Sequence, residues 1–78
     1  MDLERINTVI DRSGLKRATI YRDVAAGLFP PPVKIGSTAV WPHDEVSAIN
    51  KARLAGKSDD EIRTLVADLK RQRTAIAA

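Results

Sequence analysis

Seventy-eight residues without a cysteine bound the chain to a single small domain that must hold its core by aliphatic packing, with neither disulfides nor a thiolate metal site. The net charge of +3 is focused: residues 12–37 carry Arg12, Lys16, Arg17, Arg22 and Lys34 against Asp23 alone, whereas residues 58–78 balance acids with bases. That distribution points to a polyanionic partner, and the lack of any apolar run near the ~20 residues of a membrane span, or of a signal-peptide pattern at the start, makes a cytoplasmic protein the expectation.

In chain order, Leu3, Ile6, Val9 and Ile10 recur at three- and four-residue spacing, which predicts a first helix with one apolar face. Asn7 and Thr8 are its candidate caps, because their side-chain oxygens can accept from the amides of a first turn. Ser13-Gly14 ends it, since glycine takes the left-handed conformation of a helix stop, and Leu15 is the apolar residue that seats the turn. A second helix is predicted from about Arg17 to Ala26, with Ile20 and Val24 as its buried stripe and Gly27 closing it. At about 100° per residue, Ala18 and Arg22 lie opposite that stripe, with Thr19, Tyr21 and Ala25 on the flanks. Lys16 and Arg17 occupy the first turn, and Arg17, angularly nearer the buried side, must splay outward to reach a partner.

Pro30-Pro31-Pro32 cannot continue a helix and lacks ladder donors, so it makes a stiff extended entry to the next element. Val33-Lys34-Ile35, a Gly36-Ser37 turn and Thr38-Ala39-Val40-Trp41 read as a β-hairpin whose glycine fits a type II′ loop. Lys34, between two apolar strand residues, faces away from them. The Gly36-Ser37 tip is slim enough to follow a phosphate backbone or enter a minor groove, and Trp41 is expected as a core anchor beneath it. Pro42 falls near the start of a third helix, which turns Val46 and Ile49 inward and stops at Gly56. Ser58-Asp59-Asp60-Glu61 is a capping box that opens a fourth helix, with Ile62, Leu65, Val66 and Leu69 on one stripe. This stripe has two readings: packing onto the domain's own core, or pairing with another copy or another protein. Lys57 marks a joint between helices, not a domain boundary.

No constellation suggests an enzyme. His43 is the sole histidine and reads as a first-turn surface residue, Asp59-Asp60-Glu61 is explained by capping, and no glycine-rich phosphate loop or nucleophile–base pair occurs. No metal, cofactor or small-molecule substrate is therefore expected. The expected fold is α+β and mostly helical: a winged helix-turn-helix over about residues 3–56, with a two-stranded β-hairpin wing, and an amphipathic C-terminal helix over about 58–74. Such a fold needs a helix with a buried stripe on one side and long donors on the other to enter a major groove. The second helix meets that description.

The run from Gly14-Leu15 through Lys16-Arg17, Thr19-Ile20-Tyr21-Arg22, Gly27-Leu28-Phe29-Pro30, Val33-Lys34-Ile35-Gly36 and Trp41 resembles the AlpA family of prophage regulatory proteins, relatives of MerR-type DNA-binding domains and phage excisionases. Ala55-Gly56-Lys57-Ser58-Asp59-Asp60-Glu61-Ile62 resembles the tail of its longer members. The resemblance implies sequence-specific binding of double-stranded DNA, with the second helix in the major groove and the wing against the backbone or minor groove. Lys16, Arg17, Ala18, Thr19, Tyr21 and Arg22 on the helix, and Lys34, Ser37 and Thr38 on the wing, are the DNA-binding candidates. Two positions depart from the family pattern. Lys16 stands where a small capping Ser or Thr is usual, and Thr38 where many relatives carry Arg. Three roles follow from the sequence: transcriptional regulator of a prophage or mobile element, excisionase that bends an attachment site for an integrase, and protein-interaction module working through the C-terminal helix. Self-association or an integrase contact would belong to the last two.

Overall fold

The computed structural model describes residues 2–77. The chain order is β1 (Leu3–Arg5), α1 (Ile6–Ser13), α2 (Arg17–Ala26), β2 (Val33–Ile35), β3 (Thr38–Pro42), α3 (His43–Leu54) and α4 (Asp59–Ala77). It is the expected α+β, mostly helical winged helix-turn-helix, and it contains one strand that the sequence did not announce. Leu3–Arg5 is not the first turn of α1 but an edge strand, antiparallel to β3, in a three-stranded sheet ordered β1-β3-β2. Helical spacing of Leu3 with Ile6 is compatible with either state. The open edge of β3 decides it, because extended backbone there satisfies Glu4 opposite Trp41 and Arg5 opposite Val40.

Alternation in β1 turns Glu4 inward and leaves Leu3 and Arg5 exposed. The strand runs straight into α1, whose N-cap is Arg5 with no side-chain capping bond. Asn7 and Thr8 therefore lie inside the first turn, one and two residues past its start, where they cannot cap. At the other end Gly14 takes φ 71°, and its amide donates to the Ile10 carbonyl at 2.9 Å, closing α1 as expected. The hairpin forms in the register Val33 with Val40, Lys34 with Ala39 and Ile35 with Thr38. Gly36 at its tip has φ 62°, a conformation that a residue with a Cβ resists.

The core gathers Val9, Ile20, Phe29, Trp41, Val46, Ile49, Ile62, Val66 and Leu69, so every helix and the wing strand contribute. Trp41 is fully buried; its indole N–H donates to the Pro30 carbonyl at 2.8 Å, and Phe29 packs edge-on against it at 6.4 Å. The α4 stripe is resolved in favour of internal packing: Ile62, Val66 and Leu69 are buried and Leu65 is half-buried against the same cluster. At the start of α4 the Glu61 amide donates to the Ser58 hydroxyl at 3.2 Å, and the Ser58 amide donates to the Glu61 carboxylate at 3.1 Å. Both halves of the capping box are thus made.

Candidate nucleic-acid interface

The turn between α1 and α2 is short because Gly14 reverses the chain and the Leu15 amide finds the Ser13 hydroxyl at 3.2 Å. Leu15 then packs against the core. α2 begins at Arg17 from an extended Lys16 that supplies no side-chain cap, as its ammonium, a donor only, dictates. Ile20 is fully buried, Asp23 is 5% exposed and Val24 is half-buried. Together they fix the rotation of the helix and turn Ala18, Tyr21, Arg22 and Ala25 outward. Lys16 and Arg17 are exposed at the N-terminal end of this face, whereas Thr19 is half-buried at its margin.

Asp23 corrects a simple count of charge. The sequence places it as the lone acid within a basic surface, but its carboxylate is buried and accepts from Arg53 of α3 at 3.1 Å. Its other oxygen lies 3.7 Å from the Arg22 guanidinium, which is 75% exposed. Arg12 is corrected in the opposite sense. One of its nitrogens donates to the buried Glu4 carboxylate at 2.5 Å, and another donates to the Ser47 hydroxyl. This guanidinium ties α1 to β1 and α3 and is lost to the outer basic surface. His43, read from sequence as a plain first-turn residue, does open α3, yet its Nδ1 sits 2.5 Å from the same Glu4 oxygen. No periodicity signals this cluster, because the partners of Glu4 come from positions 12 and 43.

On the wing, the period of two places Lys34 and Ala39 on the sheet face shared by Trp41 and Glu4, and Val33, Ile35, Thr38 and Val40 on the other. Trp41 belongs to the core cluster, with Ala39 of the same face packed against it, and the Tyr21 ring of α2 meets Trp41 edge-on at 6.0 Å and 62°. Lys34, directly opposite Ala39 in the register, therefore stands on the same side of the sheet as Trp41 and Tyr21. Ser37 is exposed at that tip, whereas Thr38 is half-buried and belongs to the opposite face from Lys34. Lys16, Arg17 and Lys34 have no acidic partner within ion-pair distance among the described residues. The outcome is one surface, running from α2 across Tyr21 to the wing, that carries uncompensated positive charge.

Among the described residues, no group of three or more His, Asp or Glu could hold a metal ion, and no helix is long and apolar enough to cross a membrane.

A short helix-turn-helix followed by a basic β-hairpin, which an N-terminal strand extends to a three-stranded sheet, defines the winged helix-turn-helix class. The chain belongs to the family described as prophage CP4-57 regulatory protein (AlpA), whose family model matches residues 3–51. That span runs from β1 into α3 and leaves α4 outside. A protein of Enterobacteria phage P4, described as uncharacterized protein ORF88, is 43% identical over 54 residues, covering 68% of this chain and 61% of the relative. The chain thus spans less than two thirds of that relative's length. No solved structure matches it.

Proposed function

We propose that the chain is a sequence-specific double-stranded DNA-binding regulator of transcription in a prophage or other mobile element, and that residues 1–78 act as one DNA-binding domain. The observation that carries this reading is the shared side of α2 and the wing, with Lys34 on the sheet face against which Tyr21 packs. In it, α2 enters the major groove. Ala18 and Ala25 allow close approach, and Arg22 reaches base edges. Lys16, Arg17 and Tyr21 hold flanking phosphates, with Thr19 at the helix margin. Lys34 and Ser37 follow the backbone beside the groove, and Thr38 lines the far side of the wing tip.

The regulatory description of the family supports this role over an enzymatic one. Burial of Ile62, Val66 and Leu69 also occupies the face that a protein-interaction module would have used. Excision would use the same surface as regulation, and the arrangement of sites separates the two. Repeats overlapping a promoter mark a regulator; direct repeats beside an integrase core site mark an excisionase. The test is selection of bound sequences from a random duplex pool, followed by footprinting on the source genome. A defined motif is expected, and equal affinity for every duplex would end the proposal.

A further inference from the structure

The segment between α2 and the wing, residues 27–32, has no regular structure of its own, yet three of its carbonyls, and that of Ala26 just before it, are held at short intervals. Arg63 Nε donates to the Ala26 carbonyl at 3.1 Å, at the very end of α2. Arg53 donates to the Leu28 carbonyl at 3.0 Å with a nitrogen that also reaches Asp23. The Trp41 indole takes the Pro30 carbonyl at 2.8 Å, and Arg73 takes that of Pro31 at 2.8 Å. Arg73 is itself fixed by a two-pronged pair with Glu45 of α3, whose carboxylate is 9% exposed. Two of these four donors, Arg63 and Arg73, belong to α4, and they grip the opposite ends of the connector.

We infer that α4 is a splint that sets the separation and angle between α2 and the wing, with Arg63 and Arg73 as positioning residues for DNA recognition. Ten residues of helix separate the two arginines, about 15 Å of axial rise, enough to bridge from the end of α2 to the last prolines before β2. A helix is stiff over that length, whereas prolines stiffen only the second half of the connector and Gly27–Phe29 carry no ladder bonds, so the helix fixes the spacing between the connector's two ends. Arginine suits the task because its planar fork can serve a carboxylate and a carbonyl together. In this arrangement Arg73 is largely buried on Glu45 and backbone, whereas Arg63 is half exposed and divides its guanidinium between the Ala26 carbonyl and Asp60, 3.4 Å away; both are committed to these contacts, and their charge does not read DNA. The alternative, that α4 only adds core, leaves unexplained why its arginines bond the last carbonyl of α2 and the Pro31 carbonyl, at either end of one connector. The inference rests on the DNA-binding reading above.

The test measures how strongly the wing contributes with and without the splint. The probes are a duplex selected from a random pool by the full chain and a random-sequence duplex of equal length. Lys34→Ala is measured in the native chain, in Arg63→Gln, and in the double variant Glu45→Met/Arg73→Met. The double variant removes the Pro31 donor without stranding a buried carboxylate, a replacement that well-packed apolar residues tolerate. In the native chain Lys34→Ala should weaken the selected duplex about tenfold, as loss of a charged contact does. With the splint opened it should cost less than about twofold, because a wing out of position has little left to lose. Arg73→Lys, which keeps a cation beside Glu45 and a donor near Pro31, should restore most of the native difference. A merely structural role would lower the melting temperature and leave the Lys34 effect unchanged in the molecules that fold. That result, obtained with a native circular dichroism spectrum, overturns the inference while the DNA reading stands. Failure of the native chain to prefer the selected duplex overturns both.

Discussion

Arg22 shows how far a single side chain can be read before its fold is known. Its outward direction follows from periodicity, since Ile20 inward at about 100° per residue puts position 22 near the opposite side, and the structure leaves it 75% exposed. With Ala18 and Ala25 exposed beside it, a guanidinium can approach the O6 and N7 of a guanine and form two hydrogen bonds, worth ~1–3 kcal/mol of discrimination. Arg22→Ala should therefore flatten the preference at one base pair and spare the fold. Tyr21→Phe should cost a little affinity on every duplex, as a phenol lost from a phosphate does, because its ring remains seated on Trp41. Affinities of both variants across all single-base changes of the selected site check this pair. Reversed profiles would mean that α2 is rotated otherwise in the groove. Asp23 and Arg12 were not legible in the same way. Their positions on a helix say nothing of Arg53 or Glu4, thirty and eight residues distant, and only the packed fold converts two surface charges into two internal ties.

At the scale of elements, legibility followed the locality of the cause. The Gly14 stop, the Gly36 tip and the Ser58–Glu61 cap are decided within four residues, and all three stand where the sequence put them. β1 is decided by a partner nearly forty residues along the chain, so helical spacing at Leu3 misled. The cap also carries a dependence on pH. The Ser58 backbone amide, then the Ser58 hydroxyl and the nearby Lys57, hold the Glu61 carboxyl below its usual value. A carboxyl whose pKa is lowered by folding adds stability above its unfolded value and loses it as pH falls through the lowered one. The first turn of α4 should accordingly loosen in the acid range below about pH 4, the ordinary carboxylate region. Glu61→Gln should remove that part of the acid response. Amide exchange at residues 59–62, followed against pH, is the measurement, and an unaltered profile in the variant would refute the assignment.

For the molecule as a whole, charge and core give separate predictions. Arg12 is engaged by Glu4 and Ser47 and Arg22 is assigned to base edges, so three cations of the basic stretch remain for phosphate: Lys16, Arg17 and Lys34. Their neutralisation of about three phosphates should give a slope of log affinity against log salt of about −3. Arg12→Ala should leave that slope in place, and a slope near zero in the native chain would exclude a phosphate-led interface.

Removal of everything after Gly56 tests whether the winged core can stand without α4. The cut exposes what Ile62, Val66 and Leu69 cover, all three at most 9% exposed in the intact fold, and buried side chains of this kind contribute ~1.5–3 kcal/mol each. It also strips Arg73 from Glu45, leaving a carboxylate that is buried and unpaired, and breaking such a pair typically costs ~3–5 kcal/mol. Set against the ~5–15 kcal/mol that holds most domains together, and the low end expected for so small a core, those losses are enough to unfold the chain. The shortened protein should show no cooperative thermal transition by circular dichroism at any salt concentration. Glu45→Met in the shortened chain should recover part of the structure by removing the stranded charge. A shortened monomer that melts cooperatively near the native temperature would show that α4 is dispensable to the core.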